Sequence, residues 1–287
     1  MPPPSNIREH ILRLFETLPL KQRRLARFFL DNEDMVAFAS ASEVAERAEA
    51  SAATVVRFCR ALGFEGYTDL QATIRTQFPR YRTAVQKLTD RLANGSQIEN
   101  LPTQVVQVYS QNIEQTMSQV SHTDLTAAAA AIIQAGQIRI FAGGLSAAAA
   151  VLAEHALMVL GFSARACLNG GSAQALEISQ LTSRDLVMVI SIWRYLYESV
   201  LVAQAARELG CTCIALTDSP VAPIAKLADY TFVAATEGVA HSRSLAGIFS
   251  LIDLLSAAIA TQRPQESLAA LQRIDALYRQ NGTLWSE

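Results

Sequence analysis

The chain has 287 residues, of which 51% are hydrophobic and 17% charged, which is enough apolar material for two folded domains with buried cores. This composition excludes a disordered or low-complexity chain. The longest apolar run, 244–260, is interrupted by Asp253, and no apolar run opens the chain. We therefore expect neither a secretory signal nor a membrane span. The four cysteines show no paired metal-ligand spacing and fit a cytoplasmic location.

The net charge of −2 conceals opposite charges in the two parts of the chain. Residues 1–91 hold 14 Lys and Arg against 11 Asp and Glu, whereas the remaining residues hold 10 against 15. A basic N-terminal part followed by an acidic remainder is compatible with nucleic-acid binding at the N-terminal end. The same charges are also compatible with ordinary solvated helix faces.

Helical periodicity predicts an all-helical domain over residues 1–79. Amphipathic stretches are expected at 6–18, 21–30, 43–48, 52–62 and 68–77. Ser42 and Ser51 are the expected N-caps of the third and fourth of these helices, and Glu49 lies in the turn between them. Gly63 stands where a left-handed residue ends the fourth helix. Two short helices joined by a tight turn predict a helix-turn-helix.

The second helix of this pair has one apolar face and one polar, cationic face. Val55, Cys59 and Leu62 share the apolar stripe. The opposite face carries small residues, which let a helix approach a surface closely, and two arginines one turn apart, which suit phosphate oxygens or guanine edges. The predicted DNA-binding residues are Ser51, Ala53, Thr54, Arg57 and Arg60. The alternative is that both arginines only solvate an exposed face.

A change of pattern predicts a second, α/β domain over 101–287, joined to the first by a helical linker at 80–100. Helices at 102–120 and 123–134 come first, and short apolar strands then alternate with helices. The strands are expected at 138–142, 164–168, 186–191, 212–216 and 230–233, with helices at 146–160, 173–181, 195–209 and 222–227 between and after them. Such alternation indicates a five-stranded parallel sheet with helices on both faces. A flavodoxin-like strand order follows, in which ligands bind beyond the carboxyl ends of the first and third strands.

The two loops at those strand ends supply the candidate effector-binding residues. The first loop contains Gly143, Gly144 and Ser146, which suit an anion at a helix start, unless Ser146 is an ordinary N-cap. The second loop contributes Ser191, Trp193, Arg194, Tyr195 and Glu198, and Arg243 adds a cation before the last long helix. The aromatic residues either line an effector pocket, with Arg194 as counter-ion, or pack a dimer interface.

Motifs in both halves of the chain resemble the RpiR/MurR family of bacterial transcriptional regulators. The run VAERAEASAATVVRFCRALGFEGYTDL at 44–70 is similar to the helix-turn-helix of that family. GGLSA at 143–147 and IALTDSPVAPIAKLADY at 214–230 are similar to its sugar isomerase (SIS) domain. The resemblance implies a repressor of a catabolic operon that binds double-stranded DNA as a homodimer or homotetramer. It also implies a phosphosugar or related small anion as effector, and no cofactor, metal or catalytic residue.

Two positions depart from the family pattern. The turn between the DNA-binding helices usually carries Gly, where this chain has Glu49. After the third strand, SIS phosphosugar sites usually read Ser-x-Ser-Gly-x-Thr, where this chain reads SIWRYL at 191–196. Bulky aromatic residues and one arginine thus replace the hydroxyl groups of a phosphate cradle.

A SIS-type sugar-phosphate isomerase with an accessory helical domain is the competing function. Isomerisation of this kind needs a base that moves a proton between neighbouring carbons. Glu198 and His241 are the nearby candidates, and their spacing does not resemble a positioned acid-base pair.

Overall fold

The computed structural model describes residues 7–77, 84–93, 98–283 and 285. The chain divides into two compact units, Met1–Gly95 and Ser96–Glu287. The expected edge of the first domain at residue 79 lies outside the described residues, so the limits of the linker at 80–100 stay a prediction.

The first unit is helical throughout its described part, as predicted. Its helices are α1 (Ile7–Leu14), which continues into a 3₁₀ turn (Phe15–Thr17), α2 (Leu20–Asp31), α3 (Glu33–Phe38), α4 (Ala41–Arg47), α5 (Ala52–Ala61), α6 (Tyr67–Gln77) and α7 (Ala84–Ala93). The sequence pattern did not reveal α3, because six residues are too few for a periodic stripe. The ring of Phe58 packs edge-on against Phe29, with centroids 5.0 Å apart, and Phe29 also meets Tyr67 edge-on. These aromatic contacts join α2, α5 and α6.

The N-cap of α4 is Ser40, so the prediction of Ser42 was wrong. Ser40 Oγ accepts a hydrogen bond from the N–H of Glu43 at 3.2 Å, and Glu43 Oε2 accepts one from the N–H of Ser40 at 2.7 Å. This reciprocal capping box satisfies two N–H groups at once. Ser42 offers no such pair, because the residue three positions later is Ala45.

The second unit is the predicted α/β domain. Its elements are a 3₁₀ turn (Ile98–Asn100), α8 (Leu101–Ser118), α9 (His122–Gln134), β1 (Ile138–Ala142), a 3₁₀ turn (Gly144–Ser146), α10 (Ala147–Val159), β2 (Ala164–Cys167), α11 (Gly171–Ser179), β3 (Leu186–Ser191), α12 (Tyr197–Glu208), β4 (Thr212–Thr217), β5 (Tyr230–Val233), α13 (Ala246–Gln262) and α14 (Pro264–Gln280). The five strands pair in parallel in the order β2-β1-β3-β4-β5. This confirms the flavodoxin-like order.

Helices cover both faces of the sheet. On one face Ile140, Met188 and Leu216 pack in a core with α9, α10 and α13, and on the other Val189 and Ala215 pack with α12. Strand β3 is buried along its whole length, which explains its unbroken apolar run. The register pairs the last residues of β1, β3 and β4 with their neighbours, so these strands end at one edge of the sheet.

One expectation about the second unit was wrong. Residues 222–227 form turns rather than a helix, and their N–H groups bond carbonyls three residues earlier, Ala225 to Ala222 at 3.0 Å and Leu227 to Ile224 at 3.1 Å. The apolar run at 244–260 forms α13, which places Ile248, Leu251 and Ile259 at 0% exposure in the core of its own unit. Its all-round hydrophobicity is that of a buried helix.

Candidate functional site

Helix α5 divides its side chains between core and solvent as its sequence pattern predicts. Val55, Phe58 and Cys59 are fully buried. The predicted DNA-binding residues lie on the other face, where Ser51, Ala53, Arg57 and Arg60 are exposed and Thr54 is half-buried. Burial raises the pKa of the Cys59 thiol to about 12, so it serves as a core residue. The exposed face is therefore small, polar and cationic.

The turn before α5 keeps its tight geometry without glycine. Glu49 adopts a left-handed backbone with φ of +51°, and its carboxylate accepts a hydrogen bond from Arg24 at 3.2 Å. A left-handed conformation costs a residue with a Cβ about 1 kcal/mol. Glu49 in place of the family's Gly therefore lowers the stability of the turn but keeps a left-handed backbone there.

The two arginines of α5 have different local contacts. Arg57 Nη2 donates to Thr54 Oγ1 at 3.3 Å, a bond between two side chains of the same exposed face. Arg60 Nε donates to the carbonyl oxygen of Glu65 at 3.2 Å, which ties α5 to the loop that follows it. Ser51 Oγ accepts the N–H of Thr54 at 3.2 Å and caps the helix. A substitution of Arg57 therefore leaves the bond between α5 and the following loop in place, because Arg60 makes that bond.

The first predicted effector loop turns sharply from β1 into α10. Gly144 has a left-handed backbone with φ of +56°, and Ser146 occupies the N-cap position of α10 at 3% exposure. Within the described residues, the Ser146 side chain makes no capping hydrogen bond. The ordinary N-cap alternative therefore does not describe this hydroxyl, and anion binding by it stays a prediction.

The second predicted effector loop is folded around a carboxylate that sequence reasoning missed. Trp193, left-handed with φ of +64°, donates its N–H to Asp218 Oδ2 at 3.0 Å. The Tyr195 hydroxyl donates to Asp218 Oδ1 at 2.7 Å. Asp218 follows β4 and is 7% exposed. The signal that could have found it is its place, because β4 is adjacent to β3 and both end at the same edge of the sheet.

Burial raises the pKa of Asp218, and three neighbours oppose that rise: the hydrogen bonds from Tyr195 and Trp193 and the positive charge of Arg243. Arg243 is itself buried and donates from Nη1 to Glu237 Oε2 at 2.9 Å. The predicted cation is therefore brought within electrostatic range of the Asp218 carboxylate. Exposed Arg194 stacks on the Trp193 ring, with its guanidinium carbon 4.9 Å from the ring centroid.

A small cavity lies beside β1 and β2, and two of the predicted effector-binding residues line it. Gly143 and Glu198 line it together with Leu196, Gly170 and Gln174, and its volume is about 20 Å³. That is room for about one water molecule. A Cβ at Gly143 would lie 2.6 Å from Leu196 Cδ1, so the Leu196 side chain occupies the space directly over Gly143.

The structure thus separates the predicted effector residues into two groups at one edge of the sheet. Gly143 and Glu198 border the small cavity, while Trp193 and Tyr195 contact Asp218. Ser191 lies at the end of β3, where its carbonyl oxygen accepts the Thr217 hydroxyl at 2.8 Å. Across the described ranges, no cluster of three or more His, Cys, Asp or Glu has a metal-binding arrangement. No helix within those ranges is long and apolar enough to cross a membrane.

Comparison with known proteins assigns both units. The model of the helix-turn-helix domain of the rpiR family matches residues 5–80, and the SIS domain model matches residues 131–260. The sugar isomerase domain of an RpiR transcription factor from Sphaerobacter thermophilus is 38% identical. The match covers 62% of this chain and 99% of that one, with a TM-score of 0.60. The chain belongs to the RpiR family.

Two further relatives match this RpiR protein across both units. An uncharacterized HTH-type transcriptional regulator from Haemophilus influenzae is 26% identical over 230 residues, which is 80% of each chain. NanR from Vibrio vulnificus, solved in complex with ManNAc-6P, is 21% identical. It shares the fold over 95% of this chain and 98% of its own, with a TM-score of 0.66. The RpiR protein is therefore a helix-turn-helix transcriptional regulator with a SIS domain, and its family match favours this role over an isomerase.

Proposed function

We propose that this RpiR protein is a metabolite-responsive repressor that inserts α5 into the major groove of its operator. The observation that carries the proposal is the exposed face of α5, where Ser51, Ala53, Thr54, Arg57 and Arg60 lie together while the apolar face is buried. Recognition helices of this class contact base edges through their N-terminal residues. The capped start of α5 supplies small and hydroxyl-bearing side chains for that contact, and the arginines supply charge.

The protein acts as a homodimer or as a homotetramer built from such dimers. One short recognition helix reads too few bases for useful specificity, whereas a two-fold dimer reads two half-sites about one turn of DNA apart. Helix α8 supports an interface in the second unit, because its outward stripe of Val106, Tyr109 and Ile113 is apolar and 39–67% exposed. Its inward face instead buries the polar residues Asn112 and Thr116.

The SIS domain senses a phosphosugar or a related small anion at the edge where β1 and β3 end. The fold-level likeness to NanR, which was solved with ManNAc-6P, supports a ligand of this general class. Gly144, Ser146 and Arg194 supply the backbone turn, hydroxyl and cation that small anions use. The effector changes the arrangement of the paired recognition helices, and the size of that shift is set by its difference in affinity for the two arrangements. The regulated genes are those of a catabolic operon, and the site of action is the cytoplasm, where the DNA is.

Loss of the Arg57 side chain tests DNA reading directly. Arg57→Ala should weaken binding to a duplex selected from a random library while the melting temperature stays unchanged. If Arg57 contacts a phosphate, the salt slope of binding should also fall by about one unit. Arg207→Ala, which removes an exposed arginine from α12 in the second unit, is the matched control and should leave affinity unchanged. Equal affinities of the Arg57 and Arg207 variants, measured by fluorescence anisotropy, would remove α5 from the interface.

A thermal-shift screen of phosphosugars, sugar acids and small carboxylates tests effector sensing. A true effector should raise the melting temperature in proportion to the logarithm of its concentration above its Kd. It should also change operator affinity in the same anisotropy assay. A compound that stabilises the protein without altering DNA binding is not an effector.

A further inference from the structure

We propose that Asp218 is a specificity determinant that excludes phosphoryl groups from the loop after β3. The inference rests on the proposed effector function and narrows its ligand class. The effector that remains is a polyhydroxylated carboxylate without a phosphoryl group at this loop. Its hydroxyl groups face Asp218, and its carboxylate pairs with Arg194.

The hydrogen-bond donors of the loop are already committed to a carboxylate. A phosphate cradle works because backbone N–H groups and hydroxyls converge on one anion. In this chain the Trp193 N–H and the Tyr195 hydroxyl converge on the two oxygens of Asp218, at 3.0 and 2.7 Å. The protein therefore supplies its own anion where a phosphoryl group would otherwise be held.

The charge of Asp218 opposes a second anion at the same place. Its carboxylate is 7% exposed, and buried charges are screened by solvent much less than exposed ones. A phosphoryl dianion entering the loop would face this like charge at short range, and such a juxtaposition strongly disfavours binding. A ligand hydroxyl meets no such repulsion, since it donates a hydrogen bond to a carboxylate oxygen.

Leu196, in the same loop as Trp193 and Tyr195, adds a steric obstruction over the neighbouring loop after β1. Its side chain lies over Gly143, and the adjoining cavity is about 20 Å³. Leu196 is 39% exposed, so a bound ligand displaces it toward solvent without breaking a buried core contact. Arg194 is exposed and stacked on Trp193, so its positive charge is accessible to a ligand from solvent.

Three variants separate the charge of Asp218 from the bulk of Leu196. Leu196→Ser removes the obstruction and keeps the charge, and Leu196→Ser with Tyr195→Phe also removes one donor. Leu196→Ser with Asp218→Asn removes both the obstruction and the charge. The probe is inorganic phosphate, titrated by calorimetry against chloride of equal ionic strength. We expect phosphate affinity to rise about tenfold or more only in the Asp218→Asn double variant.

Other outcomes overturn the inference. If Leu196→Ser alone binds phosphate as tightly as the Asp218→Asn double variant, bulk and not charge excludes phosphate. If the Asp218→Asn double variant gains no affinity while its circular dichroism shows it folded, Asp218 excludes nothing.

The wild-type protein gives a readout that needs no variant. Gluconate and 6-phosphogluconate differ by one phosphoryl group, and neither 6-phosphogluconate nor inorganic phosphate should raise the melting temperature more than gluconate does. Greater stabilisation by either phosphorylated probe overturns the proposal even if a variant fails to fold. These ligand-binding experiments contain no DNA. A result that overturns the role of Asp218 therefore does not affect the test of DNA binding by Arg57, and a negative Arg57 result does not affect the test of Asp218.

Discussion

At the scale of single residues, Glu49 holds a backbone conformation that suits glycine better than glutamate. Its φ of +51° costs a residue with a Cβ about 1 kcal/mol, and its surface ion pair with Arg24 returns little of that. The turn is therefore built against a local preference, and the packing of α4 and α5 maintains it.

Replacing Glu49 by Gly should leave the free energy of unfolding unchanged or raise it by up to about 1 kcal/mol. Relief of the left-handed strain offsets the greater entropy that Gly has in the unfolded chain. Glu46→Gly, in helical backbone within α4, is the matched control and should lower the free energy by roughly 0.5–1 kcal/mol. Urea denaturation measures the free energy of unfolding of both variants. If both lost the same amount relative to the wild type, the left-handed backbone at Glu49 would not be strained.

Asp218 also makes stability depend on pH. Its folded-state pKa is raised above the ordinary 3.8, chiefly by burial. Above the raised value the buried charge opposes folding. As pH falls through that value, the folded state takes up a proton that the unfolded chain binds only near 3.8, so this opposition disappears.

The melting temperature of the wild-type protein should therefore rise relative to that of Asp218→Asn as pH falls from neutrality toward the ordinary pKa of 3.8. The comparison cancels other carboxylates, because they are common to both proteins and contribute additively when distant. Tyr195 and Arg243, which touch or face Asp218, are retained in both. If the difference in melting temperature between the two proteins stayed constant across this pH range, the buried charge of Asp218 would not destabilise the fold.

At the scale of elements, the N-cap of α5 combines a structural role with a proposed functional one. Ser51 Oγ accepts the N–H of Thr54 at 3.2 Å, and Ser121 Oγ accepts the N–H of Asp124 at 3.2 Å at the start of α9. The two caps have the same geometry in different units. Only the cap of α5 lies on the proposed DNA-reading face.

Ser51→Ala and Ser121→Ala should each lower the free energy of unfolding by about 1 kcal/mol. Ser51→Ala should in addition weaken operator binding, since it removes a hydroxyl from the reading face and loosens the first turn of α5. Ser121→Ala should bind the operator as the wild type does. Anisotropy measured well below the melting temperature separates the two effects, and a shared loss of affinity would assign it to stability alone.

At the scale of the whole molecule, α8 buries two polar residues and exposes three apolar ones, the reverse of an ordinary surface helix. Asn112 and Thr116 are buried and bond the segment after β5, through the Glu237 carbonyl at 2.7 Å and the Ala235 N–H at 3.0 Å. Val106, Tyr109 and Ile113 are exposed. An outward apolar stripe on a helix whose inner face is satisfied by hydrogen bonds is typical of an interface between copies.

Val106→Glu should shift the protein toward monomer in analytical ultracentrifugation and weaken operator binding, because a charge in an apolar interface is costly to desolvate. Leu176→Glu introduces the same charge at a site of similar exposure, 66% against 67%, on α11. This control should leave both properties unchanged. If Val106→Glu sediments as the wild type does, α8 lies outside the interface.

The sequence by itself determined the helical and α/β units, the strand order and the two faces of α5. Periodicity and burial are local properties, so Val55 and Cys59 identified the buried side of α5 without any tertiary information. The bounds of β1, β3 and β5 agree with those predicted. Local patterns failed where a competing local signal was stronger, as when the Ser40 capping box displaced Ser42.

Only the tertiary structure decided what surrounds the effector loop. Asp218 lies 25 residues beyond Trp193, and its bonds to that loop depend on β3 and β4 being neighbours. The position of Leu196 over Gly143 likewise depends on two loops meeting at one edge of the sheet. No periodicity encodes such meetings, because they arise from how strands assemble. The sequence therefore located the candidate effector loops, while the fold revealed the Asp218 carboxylate that the second of them contacts.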